Sequence, residues 1–246
     1  MRHGNTLTKT LAATAGCAAA AAALCASTPA NAVPTATTAA VLPSTSIGPA
    51  GDNFSAQLFG GLTVNVGGIV GSCTLSAAAG TIPVAPGNSN PSGPVTVSLG
   101  SPVAQNCSAN LGIAKLSFAT SGNWTMSFQN GSPIVGTLTI PQNGAVATVS
   151  GLVNCTITTA TNGPASLNGT WSNGTNSTSS PSTLSITNAQ LPVQVSGSGG
   201  AGSSNLGSSL SSGGSSGCPG AGTLSLTATY NVLDTSNPAL PVTVGA

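Results

Sequence analysis

Charged side chains are almost missing from this chain. Its 246 residues include three Lys or Arg, two Asp or Glu and one His, a charged fraction of 2%. Arg2, His3 and Lys9 fall in the first ten positions, so from residue 10 onward only Asp52, Lys115 and Asp234 are charged at neutral pH. Each absence excludes something. Without Glu, and without His or Arg after the start, the usual general acids, bases and charge clamps of enzymes are not available. Without clustered Lys or Arg there is no footprint for nucleic acid and no polybasic contact with a membrane. The composition therefore predicts a protein that is not an enzyme and that works through its surface.

The first 32 residues read as an export signal. Arg2, His3 and Lys9 open it, Leu11 to Ala26 is an Ala-rich apolar stretch, and Ala30-Asn31-Ala32 is a small-x-small cleavage site. The stretch is shorter and less apolar than the roughly 20 residues a permanent span requires, and no later segment qualifies. Cys17, after Thr14-Ala15-Gly16, is a poor lipoprotein box. The expected location is secreted or cell surface. Residues 33–246 then carry one Lys against two Asp, a net side-chain charge of −1. So little charge gives scant repulsion between copies, which makes like subunits candidate partners.

Cys17 and Cys25 leave with the signal. Cys73, Cys107, Cys155 and Cys218 remain, an even number in an exported chain, and predict two disulfides. Three pairings exist; sequence order favours Cys73–Cys107 with Cys155–Cys218. A zinc site is the alternative, but there is no C-x-x-C spacing and no His to complete one, so neither metal nor cofactor is expected.

Residues 33–53 are rich in Thr, Ala, Pro and Ser without a period, and read as a flexible arm or linker. The sharper alternative is a strand donated to a neighbouring subunit. From Phe54 onward the chain alternates apolar and polar residues, as in Leu62–Val66, Val95–Leu99, Lys115–Ala119, Trp124–Phe128 and Gly136–Ile140. Val146–Val153, Leu184–Ile186, Leu191–Val195 and Leu224–Val232 continue the pattern. Period two with β-branched residues marks half-buried strands, and Gly, Asn and Pro clusters separate them as turns. No stretch carries a capped helical face. The prediction over 54–246 is one all-β domain, an antiparallel β-sandwich of Ig-like or Greek-key type or a partly open barrel, with nine or ten strands. Leu224–Val232, the clearest strand, is expected to lie centrally. Ser196 to Gly217 is nearly all Gly and Ser and reads as a disordered loop.

The residues that could do chemistry have plainer jobs. Lys115 is the one side-chain amine that could serve a Ser or Thr nucleophile, yet in phase with Ser117 it points outward as a solvated lysine. Asp52 and Asp234 could form an acid pair, but they flank the folded region at opposite ends and read as turn caps. Trp124 shares a face with Met126 and Phe128 and is expected in the core. Trp171, in the turn-rich Asn168-Gly169-Thr170-Trp171-Ser172-Asn173-Gly174, is the candidate ligand contact, an exposed ring for stacking on sugars. Packing in the core or a turn is the competing role. Asn-x-Ser/Thr sequons, at Asn123, Asn130, Asn168 and Asn173 among others, are what so Asn-, Ser- and Thr-rich a chain produces by chance.

The order Pro49-Ala50-Gly51-x-x-Phe54-x-Ala56, Cys73, Cys107, Trp124, Cys155, Gly217-Cys218 and Leu226–Tyr230 resembles small secreted β-rich proteins of actinobacteria. It is similar, more loosely, to the secreted alkane-oxidation activators of pseudomonads (the Pra type). Their mid-chain Leu-Pro-Trp reads Gly122-Asn123-Trp124 here. That resemblance implies an accessory role in hydrocarbon contact and brings no catalytic residues. The sequence alone favours a structural, adhesive or interaction role towards envelope polymers, apolar surfaces or like subunits. Hydrocarbon contact and glycan binding are the alternatives.

Overall fold

The computed structural model describes residues 41–109, 114–151, 154–198, 218–220 and 222–246. The proposed export signal, residues 33–40 and residues 199–217 of the Gly/Ser segment lie outside these. The described residues form strands and turns without a helix, all-β as the alternation predicts. In chain order the strands are β1 (Thr45–Gly48), β2 (Asn53–Val66), β3 (Ile69–Thr81), β4 (Ser89–Asn90) and β5 (Val95–Leu99). Next come β6 (Val103–Ala109), β7 (Ala114–Thr120), β8 (Trp124–Gln129), β9 (Ile134–Ile140) and β10 (Ala145–Ser150). The last are β11 (Asn154–Thr159), β12 (Ala165–Ser172), β13 (Ser182–Ser198), β14 (Gly222–Asp234) and β15 (Thr243–Gly245).

Four long strands, β3, β2, β14 and β13, pair side by side and form a spine. One wing, β6, β7, β10 and β11, joins the spine at both ends, through β3–β6 and β11–β13. A second wing, β5, β8, β9 and β12, does the same through β3–β5 and β12–β13. The antiparallel sheet thus closes twice, into two eight-strand circuits that share the spine. Closure leaves the wings without free edges. Alternation along each strand then puts one residue set inside, as in Val95, Val97 and Leu99, all at most 5% exposed.

The spine strands change partner where they bend. β13 pairs with β12 over Thr183–Ser185 and with β11 over Val193–Ser198, and its register to β14 shifts between Ile186 and Ala189. β2 slips against β3 between Gln57 and Leu62, and β14 slips against β2 between Thr227 and Thr229. Gly60, with φ +82°, and Asn188, with φ +49°, sit at these irregularities. Only Gly and, less readily, Asn adopt that left-handed backbone at low cost, so these residues fix where the spine bends. β14 lies between β2 and β13, the central place expected of it.

Both disulfides take the order-favoured pairing. Cys73–Cys107 links directly opposed residues of β3 and β6, with Cα atoms 4.0 Å apart. Cys155–Cys218 ties β11 to the segment leading into β14, with Cα atoms 5.7 Å apart.

Two expectations need correction. The loose arm predicted over 33–53 is ordered where it is described from Thr45 on. β1 pairs with β15 and β4 of its own chain in a small third sheet. Ile47 is 1% exposed, and Thr45 Oγ1 accepts from Asn130 N and Gln129 Nε2, both at 3.0 Å. An apolar side chain facing the core and a buried hydroxyl with two donors outweigh the weak strand pattern of the segment. The disordered loop predicted from Ser196 likewise begins too early, because Ser196–Ser198 still pair with Asn154–Thr156 of β11.

Candidate functional site

An apolar cavity of about 110 Å³ lies inside the closed body. Its walls come from the spine and from both wings: Ala56 and Leu62 of β2, Leu226 of β14, Phe118 of β7, Trp124 of β8 and Leu138 of β9. The inward sets of an eight-strand circuit either fill its interior or leave room for one small ligand. Where the spine bends and two circuits share it, filling is incomplete. Val103, 53% exposed on β6, also belongs to the lining, which brings the cavity to the surface there.

The few polar atoms in the walls are already engaged. The Ser76 and Tyr230 hydroxyls are paired at 3.1 Å, and Thr159 Oγ1 donates to Ala145 O at 3.1 Å. Thr120 Oγ1 donates to Pro102 O, and Trp124 Nε1 to Ser121 O at 3.1 Å. Burial pushes the Tyr230 hydroxyl above its ordinary pKa, and the Ser76 hydrogen bond offsets part of this. A guest would therefore meet methyl, methylene and aromatic carbon, and find no side-chain polar group in need of a partner.

Trp171 does not occupy the exposed position proposed for it. It is 2% exposed, packs edge-on against Phe128 with ring centroids 4.8 Å apart, and donates Nε1 to Asn173 Oδ1 at 2.7 Å. A buried ring cannot stack on a sugar, so the stacking role is withdrawn. Leu167, Gly169 and Trp171 alternate inward along β12, a period-two signal obscured by the turn-forming residues on either side. Trp124, also buried, faces the core as expected.

Asp52 and Asp234 are not at opposite ends of the fold. Pairing of β2 with β14 sets Phe54 opposite Asp234, and Thr235 N donates to Asn53 O at 2.9 Å, which closes the gap. Asp52 is half-buried, and burial, together with the nearby Asp234 side chain, holds its carboxyl above the usual carboxylate pKa. Asp234 is 2% exposed and does cap a turn, since Oδ1 accepts from Ser236 N and Asn237 N, both at 2.8 Å. Its Oδ2 is buried without a hydrogen-bond donor. Sequence reasoning could not place the two acids together, because 182 positions separate them and only strand pairing joins them.

Lys115 is exposed on β7, opposite Ser108 and Ser150. An open face lacks the enclosure that a Ser–Lys dyad needs. Among the described residues no cluster of three or more His, Cys, Asp or Glu could hold a metal, and no helix is long and apolar enough to cross a membrane.

Comparison with known proteins gave no matching family model, no matching characterised protein and no matching solved structure.

Proposed function

We propose that this is a non-enzymatic interaction protein, secreted or held at the cell surface, that takes up small uncharged apolar molecules in its interior. The cavity carries the proposal: about 110 Å³, walled by aliphatic and aromatic side chains, with its hydroxyls already paired. Apolar cavities on the order of 150 Å³ stay dry and accept benzene-sized guests, so the chemical class is a small hydrocarbon or hydrocarbon-like ring. The near absence of charge supports the same reading, because such a body can approach an oil–water boundary without ionic groups to desolvate. The resemblance to alkane-oxidation activators finds no support in the comparisons and carries no weight here.

Thermal unfolding with a size series of guests tests the proposal. Benzene- and cyclohexane-sized molecules should raise Tm, and the rise should vanish in Ala56→Leu, which fills the cavity from β2. A flat response across the series in the wild-type protein would sink it.

A second reading has one observation of its own. The outer face of the β5–β8–β9–β12 wing carries cross-strand polar pairs: Thr96–Ser127 at 2.7 Å, Thr137–Asn168 at 2.9 Å and Thr139–Ser166 at 3.2 Å. This neutral, hydroxyl-rich surface suits contact with an uncharged envelope polymer. Retention on insoluble polysaccharide, lost when Thr137 and Thr139 are both changed to Lys, would favour it.

A further inference from the structure

The wall around the cavity has a loosely closed stretch. β6 pairs with β3 from Val103 to Ala109, but with β7 only at Ser108–Lys115 and Ala109–Ala114. Beyond those two pairs, residues 103–107 and 116–120 run on without a ladder between them, although β7 stays paired with β10 as far as Thr120. Asn106 lies in this stretch with φ +51°, and the β3 ladder skips it, passing from Cys73–Cys107 to Leu75–Gln105. A left-handed residue other than Gly bends a strand as a bulge does, which turns the free edge of β6 away from β7. The lining changes character at the same place. Most of the cavity wall is buried, whereas Val103 is exposed and Pro102, Ala104, Phe118 and Thr120 are half-buried. Among the described residues, the side-chain hydrogen bond that crosses this opening is Thr120 Oγ1 to Pro102 O. The other thin joint of the sheet, β3–β5, is closed by packing. Phe54 and Leu99 there are 4% and 5% exposed, and a Cβ on Gly80 would lie 2.6 Å from both the Phe54 ring and Ser98 O.

We infer that the opening between β6 and β7 is the port through which an apolar guest enters and leaves the interior. The inference rests on the interior being a guest site, and it adds the route. A benzene-sized ring leaving the cavity passes between the Phe118 ring on one lip and the small Ala104 side chain on the other. The Thr120–Pro102 hydrogen bond limits how far the lips part. No strand has to leave the sheet, because each lip keeps the ladder on its other side, β6 to β3 and β7 to β10. The Cys73–Cys107 disulfide also holds β6 to β3 while the opposite edge gives way.

The test is the exchange of fluorobenzene with the oxidised full chain, followed by fluorine NMR magnetisation transfer, beside the Tm rise that fluorobenzene gives. Thr120→Val keeps the side-chain shape and removes the hydrogen bond across the opening. Uptake and release should both quicken roughly fivefold, the factor for one ordinary hydrogen bond broken at each passage. Val103→Trp places an indole over the mouth and should slow both rates by at least the same factor. A port alters the barrier and not the bound state, so affinity and the Tm rise should stay near wild-type values in both variants. A change in affinity carried by the release rate alone would make Thr120 and Val103 plain cavity wall and overturn the port. So would unchanged rates in both variants while fluorobenzene still raises Tm, a result that leaves the guest site standing. A wild-type Tm unmoved by fluorobenzene would overturn the guest site and the port with it.

Discussion

Asn173 Oδ1 accepts the indole N–H of Trp171 at 2.7 Å and the backbone N–H of Val244 at 2.8 Å, while its Nδ2 donates to Val244 O at 2.8 Å. One amide side chain thus satisfies a buried ring and pins the last strand, β15, to the body. Trp171 is in consequence a structural residue. Trp171→Ala should cost about 3–5 kcal/mol of stability, read from a lower denaturant midpoint. An unchanged midpoint would return the ring to the surface.

The strand β1 should be indispensable. Ile47 and Val244 are each 1% exposed and directly opposed between β1 and β15. Replacing Ile47 by Asp places a charge at this interface and should unfold the third sheet, detected as earlier proteolysis of the last ten residues. Wild-type resistance in that variant would support the loose-arm expectation over the packed strand.

Gly197 is the residue that admits the second disulfide. A Cβ there would lie 2.4 Å from Cys218 Sγ and 2.3 Å from Asn154 O. Gly197→Ala should hinder Cys155–Cys218 closure and leave free thiol after oxidative folding. On the chain-entropy account, loss of a link spanning 63 positions costs about 4 kcal/mol. Full thiol oxidation at wild-type stability would show that the backbone moves aside without penalty.

Alkaline pH should act through Tyr230. Its folded pKa lies above the ordinary 10.0, so beyond that value the unfolded chain loses a proton that the folded chain retains. The contribution to stability is complete below about pH 10 and is lost as pH rises through the folded value. Melting curves between about pH 8 and 11 should fall steeply for the wild type and less for Tyr230→Phe. That variant should also lose about 1 kcal/mol at pH 8 through the missing bond to Ser76.

How much of this was legible depended on side-chain period. Val95–Leu99 reads directly as β5, and Trp124–Phe128 falls within β8, because β-branched and aromatic residues alternate with Thr and Ser. β3 was missed. Its stretch Ser76-Ala77-Ala78-Ala79-Gly80 has no apolar contrast, and only its pairing to β2 and β6 makes it a strand. β6 and β12 were hidden in the same way by Gln, Asn and Gly. The double closure has no local signature: β11–β13 joins residues 34 to 44 positions apart, and β3–β5 rests on two pairs alone, Gly80 with Leu99 and Thr81 with Ser98. The cavity depends on that closure and was equally invisible. In sequence, Asp52 and Asp234 read as two separate turn caps for the same reason: their adjacency exists only once β2 lies against β14.

The most direct measurement is a crystal structure under xenon pressure, because xenon enters empty apolar cavities and scatters strongly. The account predicts ordered xenon between Trp124, Leu138 and Leu226, and none there in Ala56→Leu. A wild-type crystal with no xenon at that position would contradict the claim that the interior holds an apolar guest.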